Sequence, residues 1–449
     1  MFAYLLIELT LIVFRLTKKT ILLIPRQRRN ILVDRIKIHI FLIMIIIFPL
    51  IDIFNGVFIS YGHNIPLGTA YRVLFIAYIL YGALSKGVKR TGDYLLLLIS
   101  LFLLILLCIV QTVYFKTGLS LLIKELSYVI RFSLCLLIPF FANQYIDYLS
   151  IRKLSKVTVF LDLFLIGGLI IPYFLGLGNS TYDDTAGFKG FYFATNDIAF
   201  AFLILLFFVG WFLIHHEKCL IPAGMLLVLY FLNMYCLLIL GTKSGLLTGV
   251  LYTFYLIFYF LSRYRSRSLS AQFFVFEFLL LGLFLLLMKG KEFLLTALSG
   301  VIARFAYFRT LYQDDWPRLL LSSRNVYLKD AMDNFLQAPK NQYLFLFGAG
   351  FENRWDWYGR KGGLIEMDFF DMFFSYGIIG TFLLIAVVGY FLKLAVYHGS
   401  DKFCVFLLIF TIIYSFLVGH VFFSALSATV FGFMCMLIQV KKKEQGWQR

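Results

Sequence analysis

Asp52, Arg72, Arg131, Asp197, Lys243, Asp368 and Asp371 sit near the ends of long apolar runs, and Glu366 stands just outside the run that begins at 367. Carboxylates so placed can take up protons, and guanidinium or ammonium groups can hold an anion. Charge inside a bilayer is costly and is kept for such work or for pairing. Sorted by depth along the runs, these groups gather at one rim, and the opposite halves hold only Asp162 and Glu277. A transporter that alternates access would concentrate its charge near the midplane, on interrupted helices in repeated halves. A rim cluster predicts instead a site open to one leaflet. Each member alone has a simpler reading. A Lys or Arg at a span end snorkels to the headgroups, and an Asp followed by Asn55-Gly56, like Asp52, turns the chain. The cluster carries more weight than its members.

The remaining candidates are weaker. His39, His215, His216 and His398 fall on the side expected to be cytoplasmic, and only His63 and His420 face out, so histidine adds little. The hydrophilic segment 289–366 has neither His nor Cys, which speaks against zinc, and neither a metal nor a cofactor is expected. Asp314-Asp315-Trp316 could hold a hard cation but reads more simply as solvated loop acids. Gly348-Ala349-Gly350 lacks the lysine that a P-loop requires.

The elements that position these residues follow from composition. The chain is 61% hydrophobic and 14% charged, with a mean hydropathy of +0.87. A soluble protein would carry roughly twice that share of charge. The apolar residues form unbroken stretches such as 93–113, 191–214, 219–240 and 367–394, long enough to cross the ~30 Å hydrocarbon layer as helices. They lack the alternation of a membrane β-barrel. The expected fold is therefore all-α, a polytopic bundle of twelve spans near 38–54, 70–84, 93–113, 126–146, 157–175, 191–214, 219–240, 243–261, 273–289, 367–394, 402–420 and 421–440. Residues 1–14 are apolar, but basic residues follow them instead of preceding them, so no cleavable signal is expected. They form either a thirteenth, short span or an interfacial helix.

The net charge of +17 reports topology and excludes nucleic acid as the expected partner. Of 41 Lys and Arg, 24 lie in the short gaps 15–37, 85–92, 147–156, 215–218, 262–272, 393–402 and 441–449, six lie in the opposite short gaps and span ends, and the other 11 lie in the long segment 289–366, which the charge rule governs poorly. The basic side, with the C-terminus, is expected to be cytoplasmic. One integral membrane domain, 1–449, then carries a single large insertion, 289–366, outside the membrane. Within it, Tyr327, Leu328, Ala331, Met332, Phe335 and Leu336 mark one face of an amphipathic helix over 322–337. Ser322 or Ser323 is expected to cap its start and Pro339 to close it. Segment 293–312 has a weaker pattern of the same kind. The six cysteines lie in or beside apolar runs and read as packing residues.

Four stretches carry a family resemblance. They are Gly190-Phe-Tyr-Phe-Ala-Thr-Asn196-Asp197-Ile-Ala199, Gly241-Thr242-Lys243-Ser244-Gly245, Ser323-Arg324 with Phe347-Gly348-Ala349-Gly350, and Glu366-Met-Asp368-Phe-Phe-Asp371 running on to Tyr376-Gly377-Ile-Ile-Gly380-Thr381. Together they resemble the O-antigen polymerase and ligase superfamily, the Wzy-type polymerases and lipopolysaccharide O-antigen ligases. The last stretch has the spacing of the ligase signature, with Glu366 where ligases have His and Met367 where they have a polar residue.

The resemblance implies a membrane glycosyltransferase in the bacterial cytoplasmic (inner) membrane. Its donor would be an oligosaccharide on undecaprenyl pyrophosphate and its acceptor a hydroxyl of another lipid-linked repeat unit, with a flippase and a chain-length regulator as partners. Arg324 and Lys243, with Arg131 and Arg72, would counter the pyrophosphate. Glu366 or Asp368 would serve as base, Asn196 and Asp197 would line the substrate site, and inversion would follow from direct displacement. An O-antigen ligase or a teichuronic-acid-type polymerase is the alternative, and a lipid-linked oligosaccharide flippase is the alternative of a different class. The departures at Glu366 and Met367 speak against the ligase. The topology is open to direct measurement. A cysteine placed at 340 should react with an impermeant thiol reagent in intact cells and one at 267 should not; the reverse labelling would invert the proposed orientation.

Overall fold

A bilayer offers no partner to a free backbone N–H or C=O, so apolar runs of this length must close their hydrogen bonds internally. The computed structural model describes residues 26–63, 65–180, 187–215, 219, 221–264, 306, 309–310, 315–338, 341–359, 363–397 and 402–446. Its long helices are α1 (Arg26–Ser60), α2 (Leu67–Lys86), α3 (Gly92–Phe115), α4 (Leu119–Gln144), α5 (Ile151–Leu175), α6 (Thr195–Ile214), α7 (Ala223–Leu240) and α8 (Lys243–Tyr264). Four shorter helices follow, α9 (Trp316–Leu320), α10 (Arg324–Gln337), α11 (Asn341–Phe347) and α12 (Phe351–Tyr358), and then α13 (Asp368–Tyr397), α14 (Lys402–Leu417) and α15 (Ala425–Gly446). Nine helices among the described residues are long and apolar enough to cross a bilayer. Two more occupy expected spans: α4, made more polar by Lys124, Glu125 and Arg131, and α14, which has 16 residues. The chain is a multi-pass, all-α membrane protein. Its one extended feature among the described residues is a short antiparallel pair, Asn179–Ser180 with Phe188–Gly190.

Residues 1–14, the expected span at 273–289 with Glu277, Asp314, Pro339 and most of 293–312 lie outside the described residues. Elsewhere two expectations need correction. The spans expected to meet at 420 and 421 are separated by an irregular stretch, 418–424. Neither serine caps α10 with its side chain, because Ser322 (φ 53°) and Ser323 (φ 67°) are both left-handed and spend their backbones on a tight reversal.

The core is built on α6 and α15, apolar on every side and almost wholly enclosed by the other helices. α15 packs along α4, and α6 packs on α7. α1, α2, α3 and α8 keep most of their surface for lipid. One end of the bundle is basic and pinned by ion pairs, Lys86 to Asp34 at 3.1 Å and Lys443 to Asp147 at 3.4 Å. The short helices α9 to α12 cover the other end. α10 lays Ala331, Tyr327, Leu328 and Phe335 onto Ile365, Met367 and Phe374. Away from both rims, Asp162 of α5 is fully buried and accepts a hydrogen bond from Asn233 at 2.6 Å.

α13 is broken at Gly377 (φ 66°, ψ −165°), which strands carbonyls that a continuous helix would satisfy. The glycine pair that lacks a P-loop lysine repairs the break. Ala349 N–H donates to Phe374 O at 3.0 Å and Gly350 N–H to Ser375 O at 2.8 Å. Gln111 of α3 donates through Nε2 to Ser375 O and Phe347 O, both at 2.7 Å. The two backbones touch, since a Cβ on Gly348 would stand 2.4 Å from the Ser375 carbonyl. Gly348 is also left-handed (φ 71°). Gly348→Ala should therefore cost at least about 1–3 kcal/mol in strain alone. A lowered melting temperature in detergent checks this; an unchanged one would mean that the joint can open at no cost.

Candidate functional site

Three strained turns meet at the covered end of the bundle. The first, at Ser322 and Ser323, delivers Arg324 as the first residue of α10, 6% exposed. Its Nε donates to the Glu366 carbonyl at 3.0 Å and its Nη2 to Glu366 Oε2 at 3.1 Å. The second turn is Glu366 itself (φ 63°), whose carboxylate remains 38% exposed. The third is Gly419-His420, both left-handed (φ 69° and 60°). A Cβ on Gly419 would lie 2.3 Å from the Glu366 carbonyl, so only glycine lets these turns approach. His420 Nε2 stands 3.9 Å from Glu366 Oε2, an ion-pair distance longer than a hydrogen bond. Four of the five non-glycine residues with positive φ among the described residues belong to these turns. Backbone strain of this kind persists only where surrounding structure over-determines it, and it concentrates at functional sites.

Two aspartates of α13 hold the turns. Asp371 accepts Ile365 N–H at 2.9 Å through Oδ1 and Met367 N–H at 3.2 Å through Oδ2, and so grips the chain on both sides of Glu366. Its charge is met by buried Arg354 of α12 at 3.3 Å, which also donates to Ser375 Oγ at 2.8 Å. α12 is fixed in turn by buried Glu125 of α4, whose two oxygens accept Phe351 and Glu352 N–H at 3.0 Å, as a carboxylate at a helix N-terminus should. Asp368 is 3% exposed and accepts Ser415 Oγ and Val421 N–H, both at 2.9 Å, through one oxygen, which ties down the stretch that carries His420.

The other expected site residues arrange themselves around this centre. Asp197, the acid in the first turn of α6, accepts Ser427 N–H at 2.7 Å, and Ser427 Oγ bonds the His420 carbonyl. Asn196 contributes its carbonyl, which accepts from Tyr414 Oη at 3.0 Å. Lys243 reaches over from α8 and donates to Leu319 O at 2.7 Å, just before the serine turn. Arg72 pairs with Asp52 at 2.7 Å, and Arg131 lies 5.0 Å from the centroid of the Tyr128 ring. Asp52, Arg72, Arg131 and Asp197 lie within electrostatic reach of one another, and so do Asp197 and His420. The structure thus joins Arg324 to Glu366 directly, sets Asp368 behind them, and reaches Asp197 through Ser427. Among the described residues no group of three His, Cys, Asp or Glu side chains could hold a metal ion.

Residues 308–443 match the family of O-antigen ligase-like membrane proteins. The match covers Arg324, Glu366, both aspartates of α13 and His420, and it supports the O-antigen ligase and polymerase superfamily. No curated protein matches the chain significantly. The match supports a role in polysaccharide assembly at the membrane and suggests an enzyme that transfers glycosyl groups.

His420 is the member that sequence reasoning passed over, since a lone His next to a Gly between two apolar runs carries no periodic or spacing signal. Arg354 and Glu125 were equally silent, each being one charge with its partner far away in the chain. Burial on its own lowers the affinity of His420 for protons. The Glu366 carboxylate, through charge and the hydrogen bond it can accept, and Asp368 through charge, outweigh that and raise it above the ordinary imidazole value. The Asp371–Arg354 pair has its own consequence. Arg354→Met leaves a buried, uncompensated carboxylate and should cost about 3–5 kcal/mol. Lys124→Met, at the exposed 3.9 Å contact with Glu352, should cost ~0–1 kcal/mol. Thermal melts of both variants decide, and equal losses would deny the buried pair its structural role.

Proposed function

We propose that the protein is a polysaccharide repeat-unit polymerase of the Wzy type. In this reading the covered end of the bundle faces outward from the bacterial cytoplasmic membrane, and the C-terminus is cytoplasmic. The enzyme moves a growing glycan from undecaprenyl pyrophosphate to a hydroxyl of another lipid-linked repeat unit. The observation that carries the reading is the Arg324–Glu366 pair at 3.1 Å, buried on the arginine side and open on the carboxylate side. The outer leaflet holds no nucleotide sugar, so the lipid diphosphate is the leaving group. Arg324 and Lys243 counter its charge, and a planar guanidinium can grip a phosphate with two hydrogen bonds. Arg72, Arg131, Asn196 and Asp197 line the approach. Removal of the acceptor's proton depends on Glu366, and direct displacement inverts the anomeric carbon. Asp368, spent on Ser415 and Val421, serves as a positioning residue. Glu366 in place of the ligase His favours polymerase over ligase. A flippase delivers the substrate and a chain-length regulator acts beside the enzyme.

Substituting Gln for Glu366 should leave the protein in the membrane but lower polymerisation ~10²–10⁴-fold, so that single lipid-linked repeat units accumulate without a ladder of longer chains. Arg324→Ala should abolish polymer, and Arg324→Lys should restore little because an ammonium is a point charge. A normal ladder from both Glu366→Gln and Arg324→Ala would sink the assignment.

A further inference from the structure

We infer that His420 is the group that takes the proton from the acceptor hydroxyl, with Glu366 holding the imidazole in place. This inference rests on the polymerase reading above. The Glu366 carboxylate is already engaged by the Arg324 guanidinium at 3.1 Å. The imidazole beside it has no such handicap. Its Nε2 faces Glu366 Oε2 at 3.9 Å, an ion-pair distance that turns this nitrogen to the carboxylate and leaves Nδ1 as the nitrogen to take the proton. The side chain is 23% exposed, which leaves the ring open to a hydroxyl. A base oriented by a carboxylate recurs on unrelated folds wherever a hydroxyl must be activated. The left-handed backbone at His420 and Gly419, pressed against Glu366, adds strain that three anchors sustain: Asp368 on Val421 N–H, Ser427 on the His420 carbonyl, and Asp197 on Ser427.

The acceptor O–H bond breaks and its proton passes to Nδ1, while the freed electron pair forms the bond to the anomeric carbon. The bond from that carbon to the pyrophosphate oxygen breaks, and its electron pair leaves with undecaprenyl pyrophosphate, against Arg324 and Lys243. Glu366 stabilises the imidazolium, which then releases its proton to water. The charged groups facing the imidazole are Glu366 in the turn before α13, Asp368 of α13, Arg324 of α10 and Asp197 of α6.

The test uses the full-length protein in proteoliposomes with lipid-linked repeat units. Asn tolerates a left-handed backbone and cannot act as a base, so His420→Asn should keep its melting temperature and lose ~10²–10⁴-fold in polymerisation. In the wild type the rate should rise with pH through a limb above the ordinary imidazole value of 6.5, because the raised affinity keeps His420 protonated and inactive below it. Glu366→Gln removes the main raising influence, so the limb of its residual activity should move to lower pH. A purely structural histidine would not produce that movement. Wild-type rates from His420→Asn would overturn the inference. Should that variant fail to fold, a limb that stays fixed in Glu366→Gln would overturn it equally. If His420→Asn polymerises normally while Glu366→Gln does not, His420 alone is excluded and the polymerase reading stands. If the wild type leaves lipid-linked repeat units unconsumed, the polymerase reading itself fails.

Discussion

The carboxylate of Asp371 lies under the covering helices and receives the guanidinium of Arg354 together with the N–H groups of Ile365 and Met367. Removing such a group from water costs several kcal/mol unless its oxygens are filled. Here both are filled, and the filling has a direction. Two of the donors flank Glu366, so the carboxylate fixes a residue it never touches. Arg354 is itself held on α12, whose N-terminus Glu125 caps from α4. A chain of buried charge thus runs from a membrane helix, through a surface helix, to the rim. Any displacement of α12 would be felt at Glu366.

The break at Gly377 follows from the same constraint. A helix may end short inside a bilayer only where neighbouring protein takes up the freed backbone groups. The glycine turn 348–350 and Gln111 do so from two directions, which locks the short helices to α13 and α3. The cover is therefore part of the bundle. Its hydrogen bonds replace those that the broken helix lost, and its apolar face, through Ala331 and Phe335, closes over Ile365 and Met367.

How much of this was legible in the sequence depended on the range of the signal. Spans were legible because twenty consecutive residues each report the same solvent, and eleven of the twelve expected ones appear among the described residues. The helix at 322–337 was legible from periodicity, although its expected serine cap was not formed. Local propensity assigns such a serine a side-chain role, whereas here the chain needed a left-handed reversal to bring Arg324 beneath Glu366. The rim cluster, with Glu366 beside it, was legible as a depth distribution, whereas Arg324 was pointed to by the family resemblance alone, and the fold pairs the two. The division of labour between neighbours was not. Asp368 and Asp371 look alike in sequence, yet one holds the His420 stretch and the other the Glu366 turn. That difference exists only in the fold.

Strain and burial at the rim are distributed unequally, and the inequality has chemical meaning in the proposed reading. Arg324 is nearly sealed, while Glu366 above it is more than a third exposed. An anionic donor approaching from the open side meets the carboxylate before it meets the cation. It can gain the guanidinium only by competing with Glu366, and success frees that carboxylate toward His420 at the moment the leaving group is in place. A carboxylate released from a guanidinium interacts more strongly with a neighbouring imidazolium. Binding of the leaving group and readiness of the base are then coupled through one side chain. The coupling needs Glu366 to move and its backbone to stay still, and the grip of Asp371 on both flanking N–H groups permits that combination.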